Sequence, residues 1–283
     1  MRISSLVRLC VAYVAAPTVE GRARLGGTGF FIWRVPREAP RTEIDNAARK
    51  QFSGATAYFV TARHVVEEVR KLGVEHLAVR VNTKDGNCEE FKVPVSAFHF
   101  HERPEVDLAA VPADIDQERF EVTPWILDET PEEEVFQKHN IGVGTGVSII
   151  GLFKHHTGTQ RNLPIVRTGN IAAMAEEKVS TAMGQMDAAL IEARSIGGLS
   201  GSPVFANLGT SQIRINPDLA HYDFISGIHL FGVMHGHYDE NADGERVNVG
   251  IGIVTPVSKI VELIRDPALS MEGTQLRVGE PSY

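Results

Sequence analysis

Cysteine is nearly absent from this sequence: Cys10 and Cys88 are the only two in 283 residues. Two thiols make no disulfide framework, and a reducing, cytoplasmic setting is the simplest one for such a chain. Long hydrophobic runs are missing as well. No stretch reaches the roughly 18 apolar residues that a membrane-spanning helix needs, so no membrane partner is expected. There is no run of five lysines or arginines either, and the formal net charge is −8. That balance lacks the basic footprint of a nucleic-acid binder. With no repeat of fixed period and no low-complexity tract, 43% apolar and 23% charged residues describe an ordinary globular chain.

What the sequence does have is punctuation. Its 26 glycines and 14 prolines make up about 14% of the chain, above the usual ~12%. Between them short apolar segments recur, from Leu6–Val14 and Gly29–Trp33 through Val147–Phe153 to Val249–Val254. Many short strands separated by turn residues predict an all-β barrel or sandwich. The charged stretch from Pro112 to Asn140, with its DETPEEE run, reads as a solvated connection. It divides the chain into two β units, residues 1–122 and 123–283. The N-terminus imitates a signal peptide with Arg2, an apolar run and Ala15-Ala16, but Arg8 interrupts the run, and Leu9–Ala15 reads as a strand. Helices are few. One is expected after His64 (VVEEVRKL), and one over about residues 256–265, capped by Thr255 with Pro256 in its first position. There Val257, Ile260, Val261 and Ile264 recur at helical spacing.

Three segments carry the chemistry: TARHV around His64, EVDLAAV around Asp107 and GGLSGSPV around Ser200. A serine hydroxyl needs a base to take its proton, and an imidazole base needs a buried carboxylate to fix its tautomer. These residue types meet that need. Asp114 and Asp116 lie near, but only Asp107 is followed by an apolar run that would bury and orient it. The glycines around Ser200 suit a tight turn in which the amides of Gly198 and Ser200 point at a developing oxyanion.

In this order, TAxH, a strand-borne DLA and GxSGSPV, 43 and 93 residues apart, resemble the chymotrypsin-like (trypsin-fold) serine proteases. The similarity is greatest to their bacterial, disulfide-free branches, including the HtrA-type and glutamyl endopeptidases. GTGFFI at Gly27–Ile32, GVMHG at Gly232–Gly236 and the terminal helix also fall where that family places them. The resemblance implies two six-stranded antiparallel β-barrels, with His64 and Asp107 from the first and Ser200 from the second meeting in the cleft between them. It implies a protein or peptide substrate and no cofactor.

Two departures shape the expectation. Digestive members carry an aspartate directly before the nucleophile, which pairs with a freshly cut N-terminus; here Leu199 stands there, and no IVGG-like start occurs inside the chain. Activation by propeptide cleavage is therefore not expected, and an upstream activator or partner is a candidate switch. No PDZ-like extension is expected after the protease unit. In this family the specificity pocket is built from the residues before the nucleophile and an edge strand after it, here Glu192–Gly198 and Val233–Gly236. Arg194 would favour an acidic side chain before the scissile bond, with Ser195 and His235 adding donors and Met234 and Gly236 completing the wall. The rival from another class is a pseudoprotease, in which the cleft serves as a peptide-binding or scaffolding surface.

Other constellations are weaker. Asp239, Asn241 and Asp243 imitate the start of a calcium loop, but the twelfth position is Gly250 rather than glutamate, so a surface hairpin is expected. His99/His101, His155/His156 and His235/His237 lack a third ligand at zinc-like spacing. GVGTG at Gly142–Gly146 has no following helix and reads as the entry to a strand.

Overall fold

In a computed structural model, residues 5–16, 24–35, 56–181, 183–194, 197–208, 227–242, 245–269 and 276–278 are described. The first unit is built from β1 (Val11–Ala16), β2 (Arg24–Val35), β3 (Thr56–Thr61), β4 (His76–Asn82), β5 (Cys88–Pro94), the two-residue β6 (His99–Phe100) and β7 (Ala109–Ile115). All pair antiparallel, in the order β7-β3-β2-β1-β4-β5. Further along come β8 (Trp125–Asp128), β9 (Gly146–Gly151), β10 (Ile165–Ala173), the small β11 (Val179–Thr181) and β12 (Gly184–Met186), β13 (Ala189–Glu192), β14 (Pro203–Asn207), β15 (Ile228–Ala242) and β16 (Glu245–Pro256). Strands β10-β13-β16-β15-β14-β9 close a six-stranded barrel. The expected all-β class holds, with two β units.

The first sheet curls but does not close as a six-stranded barrel. Strand β5 does not pair with β7, whose far side is taken by β6 and by a last strand, β17 (Leu276–Val278), which runs parallel to β7 and lies against β5. Its Leu276 and Val278 are buried while Arg277 points outward, the period of two that lets three residues fill a seam. Strand β8 adds to the same sheet, parallel to β2.

Several local expectations change. The N-terminal strand starts later than Leu9: Ser5–Cys10 form a 3-10 helix and β1 begins at Val11. At three residues per turn Val7 and Cys10 lie on one side, both buried, with Cys10 Sγ 3.1 Å from the Val7 carbonyl, while Arg8 is exposed. The charged connection is not a bare linker either. After β8 it forms a helix, Glu132–His139, with three glutamates in its first turn and Lys138 and His139 in its last, each favoured by the helix dipole. Its buried Val135, and Phe136 stacked on Phe231, dock it on the second barrel. The terminal helix, Val257–Ile264, is present, but Thr255 does not cap it. Strand β16 continues through Pro256, so Thr255 lies in the ladder opposite Val233 and Pro256 takes the cap position. The helix after β3, Arg63–Lys71, buries Val65, Val66 and Val69 as expected.

Three hydrophobic clusters hold this arrangement. One fills the first unit around Phe31, Phe59, Phe91 and Phe120. Another fills the closed barrel around Ile149, Ile191, Phe231 and Val254. The third joins the two, packing Tyr13, Phe30 and Ile32 against Phe205, Leu230 and Val233, with Ile260, Leu263 and Ile264 of the terminal helix closing it. At roughly 1.5–3 kcal/mol per fully buried large side chain, this shared cluster is enough to fix the two units against each other.

Candidate active site

His64 sits where a strand becomes a helix. Strand β3 ends at Thr61, Ala62 is still extended, and Arg63 opens the helix. The first amides of a helix have no partner within it. Asp107 supplies one: its Oδ1 accepts the His64 backbone N–H at 2.8 Å, and its Oδ2 accepts from His64 Nδ1 at 2.7 Å. One carboxylate thus holds both the main chain and the ring of the same residue. Asp107 is itself 3% exposed, fixed between buried Val106 and Leu108 at the approach to β7.

Burial pushes the Asp107 carboxyl up, but the hydrogen bonds and charges of His235 and His64 outweigh it and hold the group well below the usual carboxylate range. Asp107 is therefore an ionised acceptor, and the ring nitrogen facing it carries the proton. His64 Nε2 is left with a free lone pair. Burial pulls the His64 imidazole down, but the hydrogen bond and charge of Asp107, with Glu68 and Glu67, leave it raised. Since only the neutral ring accepts a proton, kcat/KM should fall on acidification with a midpoint above the usual imidazole value of about 6.5. A pH–rate profile checks this; a midpoint at or below about 6 would contradict it.

Ser200 lies in a turn that glycine makes possible. Gly198 and Gly201 have φ of +105° and +82°, and a Cβ on Gly201 would run into the Thr28 carbonyl oxygen. Leu199, between glycine and nucleophile, is fully buried in the closed barrel's core, so its side chain anchors the turn from below. Among the described residues neither the Gly198 nor the Ser200 amide donates to an acceptor. The Ser200 hydroxyl donates to the His235 carbonyl at 3.0 Å, and no bond joins it to His64.

Thr28, from the GTGFFI segment, bolts this turn to the first unit. Its N–H donates to the Ser200 carbonyl at 2.9 Å, its hydroxyl donates to the Gly198 carbonyl at 2.7 Å, and the same oxygen accepts from the Leu152 amide at 2.9 Å. Thr61 Oγ1 in turn donates to the Thr28 carbonyl at 2.7 Å. The isosteric Thr28→Val keeps the shape and strands two buried backbone groups. It should destabilise the protein by about 1–3 kcal/mol. It should also lower kcat more than it raises KM; urea denaturation and steady-state kinetics measure both.

The sequence-predicted specificity residues separate. Gly236 has open space where a Cβ would be. Met234 is fully buried in the barrel core, its main chain bonded to Gly201 and Ser202. Arg194 is exposed, two residues beyond β13. Ser195 lies outside the described residues. His235 turns its imidazole onto Asp107, with Nδ1 2.5 Å from Oδ2, and its ring meets that of His64 edge-on at 5.0 Å. His235 is an extra residue of β15 relative to β16, a bulge at which alternation gives no guide, and Thr28 carried no signal beyond its motif.

His64, Asp107 and His235 are also, among the described residues, the His/Asp group whose ligand atoms lie close enough to meet on a metal ion. Two imidazole N–H groups donating to one carboxylate account for their spacing. Of the calcium candidates, Asp239 is exposed with its carboxylate 3.2 Å from His237 Nε2, the Asn241 main chain pairs with Arg246 in the β15–β16 ladder, and Asp243 lies outside the described residues.

The family model described as Trypsin matches residues 50–264. Among curated proteins, none matches the chain in sequence. Among solved structures, the MamO protease domain from Magnetospirillum magneticum in its apo form is similar at 16% identity, covering 93% of this chain and 99% of that one, with a TM-score of 0.50. Deg5 is similar at 16% identity, covering 90% and 87%, with a TM-score of 0.49. Rv3671c from M. tuberculosis H37Rv, in an inactive form, is similar at 14% identity, covering 94% and 90%, with a TM-score of 0.46.

Proposed function

The chain belongs to the trypsin family, and from that premise we propose that it is a serine endopeptidase working through an acyl-enzyme. The observation that carries this is the double hold of Asp107 on His64, beside a nucleophile turn in which, among the described residues, the Gly198 and Ser200 amides donate to no acceptor. Ser200 leaves the His235 carbonyl, gives its proton to His64 Nε2 and attacks the scissile carbonyl. The Gly198 and Ser200 amides receive the oxyanion. His64 then protonates the leaving amine, and a water, deprotonated by the same nitrogen, releases the acyl group and restores Ser200. Asp107 stays ionised throughout and keeps the imidazolium in place.

The substrate is a protein or peptide, and an acidic residue before the scissile bond suits the cation at Arg194. The free thiols of Cys10 and Cys88 suit a reducing, intracellular setting. If Arg194 reads the substrate, Arg194→Ala should reduce cleavage after Glu and Asp about tenfold or more relative to other residues, the loss of one charge-assisted hydrogen bond. A peptide-library profile of wild type and variant tests this; identical profiles would place Arg194 outside recognition. One observation favours a second reading, a pseudoprotease that binds peptides in the cleft: the Ser200 hydroxyl rests on His235 rather than on His64. Cleavage of the library by wild type and not by Ser200→Ala decides for the protease.

A further inference from the structure

The sheet of the first unit ends on two unlike edges. Strand β5 is one end of its order, and the far edge of β7 is the other, shared by β6 at residues 109–110 and by β17 at residues 113–115. Among the described residues no ladder joins β17 to β5, so side chains alone close the seam between them. Leu276 and Val278 supply these side chains. Both are buried in the cluster that holds Phe91 and Val93 of β5, Val111 and Ala113 of β7, and Phe120. The β17 main chain is held on one side, in its parallel pair with β7 and by the Asp116 amide, which donates to the Val278 carbonyl at 2.9 Å. A contact of three residues and one ladder can open without unfolding the sheet behind it.

The register of this contact is specified. Leu276 and Val278 turn inward, while Arg277 lies opposite Asp114, both exposed on the outer face. A slip by one residue would turn Arg277 into the core. The seam therefore reads an extended segment with apolar side chains at alternate positions and a cation between them.

We propose that the seam between β5 and β7 is a strand-binding groove whose ligand is this chain's own segment around Leu276–Val278, and that docking of the segment raises catalytic activity. The segment is tethered. Leu269, buried in the cluster shared by the two units, lies seven residues before Leu276, a tether of at most ~25 Å. Such a tether holds the segment at an effective concentration on the order of millimolar. The groove is joined to the site through β7. Ala113 pairs with Leu276 on one side and with Ala57 of β3 on the other, and the same two strands run on to Ala109 opposite Thr61. Asp107 precedes β7 by two residues, and His64 follows β3 by three. An occupied seam thus fixes the two strands whose ends carry the acid and the base, whereas an empty one leaves β7 with an unpaired edge beyond residue 110. The effect on activity rests on the serine-protease assignment above; the docking of the segment does not.

The double variant Leu276→Asp/Val278→Asp in the whole chain, with a fluorescent peptide of residues 272–282, tests both. Two carboxylates cannot enter the core, so the groove is vacated and kcat should fall about 5- to 20-fold. The peptide should bind the variant saturably and restore its kcat toward wild type, and it should bind wild type about tenfold more weakly or worse, because the tethered segment competes. Binding is measured in a Ser200→Ala background, where the peptide is not cleaved. A peptide carrying both aspartates should neither bind nor restore. Hydrogen exchange of the wild-type protein decides the matter even if the variant does not fold: the Asp116 amide should exchange by local opening, about a hundredfold faster than the β3–β7 ladder. A folded variant that binds no peptide, or an Asp116 amide that exchanges only with global unfolding, would overturn the groove. Equal peptide affinity in wild type and variant would overturn its occupation by the chain's own segment, and binding without recovery of kcat would overturn the activating role. Absence of Ser200-dependent turnover in wild type would instead overturn the protease assignment, and peptide binding would still decide the groove.

Discussion

Ser200→Ala is expected to reduce peptide turnover about 10⁴-fold or more while the protein melts within a few degrees of wild type. The size follows from the way a nucleophile, its base and its orienting acid act as one unit, so that loss of the attacking oxygen leaves only binding and oxyanion stabilisation. The small effect on folding follows from the structure. Ser200 is half-exposed, and among the described residues its side chain makes one bond, to the His235 carbonyl. The turn is held instead by Leu199 beneath it and by the Ser200 main chain bonded to Thr28. Steady-state hydrolysis of one peptide, with thermal melts of both proteins, measures both parts. Turnover within tenfold of wild type would remove Ser200 from the chemistry.

Asp107→Asn is expected to be nearly as severe, about 10³- to 10⁴-fold in kcat, for a reason this site makes sharper than a single tautomer error. The carboxylate accepts three N–H groups: the His64 amide, His64 Nδ1 and His235 Nδ1. A carboxamide keeps one acceptor oxygen and presents N–H groups on the other side. If its oxygen stays on the His64 amide, its nitrogen faces both rings, which must then move their protons to Nε2. His64 so protonated no longer accepts from Ser200. If the amide flips, the opening of the helix loses its acceptor, and stability falls. Measured kcat and melting temperature separate the two orientations; a variant with near-normal kcat would mean that Asp107 does not set the tautomer of His64.

How much of this was legible in the sequence depended on whether the cause was local. The TARHV, EVDLAAV and GGLSGSPV segments specify a helix start, a buried acid and a glycine-framed turn from neighbours alone, and the structure brings all three together. Short apolar segments gave the two β units for the same reason. The 3-10 helix at Ser5–Cys10 was hidden because Val7 and Cys10 fit both a strand face and one side of a tight helix; only the packing of both into the shared cluster decides. The charged connection misled because glutamates that look solvated also stabilise a helix N-terminus. The seam strand β17 carries three residues, too few for periodicity, and its position depends on a gap between β5 and β7 that exists only in the folded sheet. His235 depended on a bulge, a matter of register between two strands. Thr28 depended on contacts to residues more than 120 positions away.

The most direct measurement is covalent labelling of the nucleophile. A fluorophosphonate should add one equivalent to the wild-type protein, and peptide mapping should place the adduct on Ser200. Labelling should be lost in Ser200→Ala and slowed by orders of magnitude in His64→Ala, because the hydroxyl reacts only when a neighbouring base takes its proton. A wild-type protein that stays unlabelled at pH 8, or one that labels equally well without His64, would contradict a Ser200 nucleophile activated by the His64–Asp107 pair.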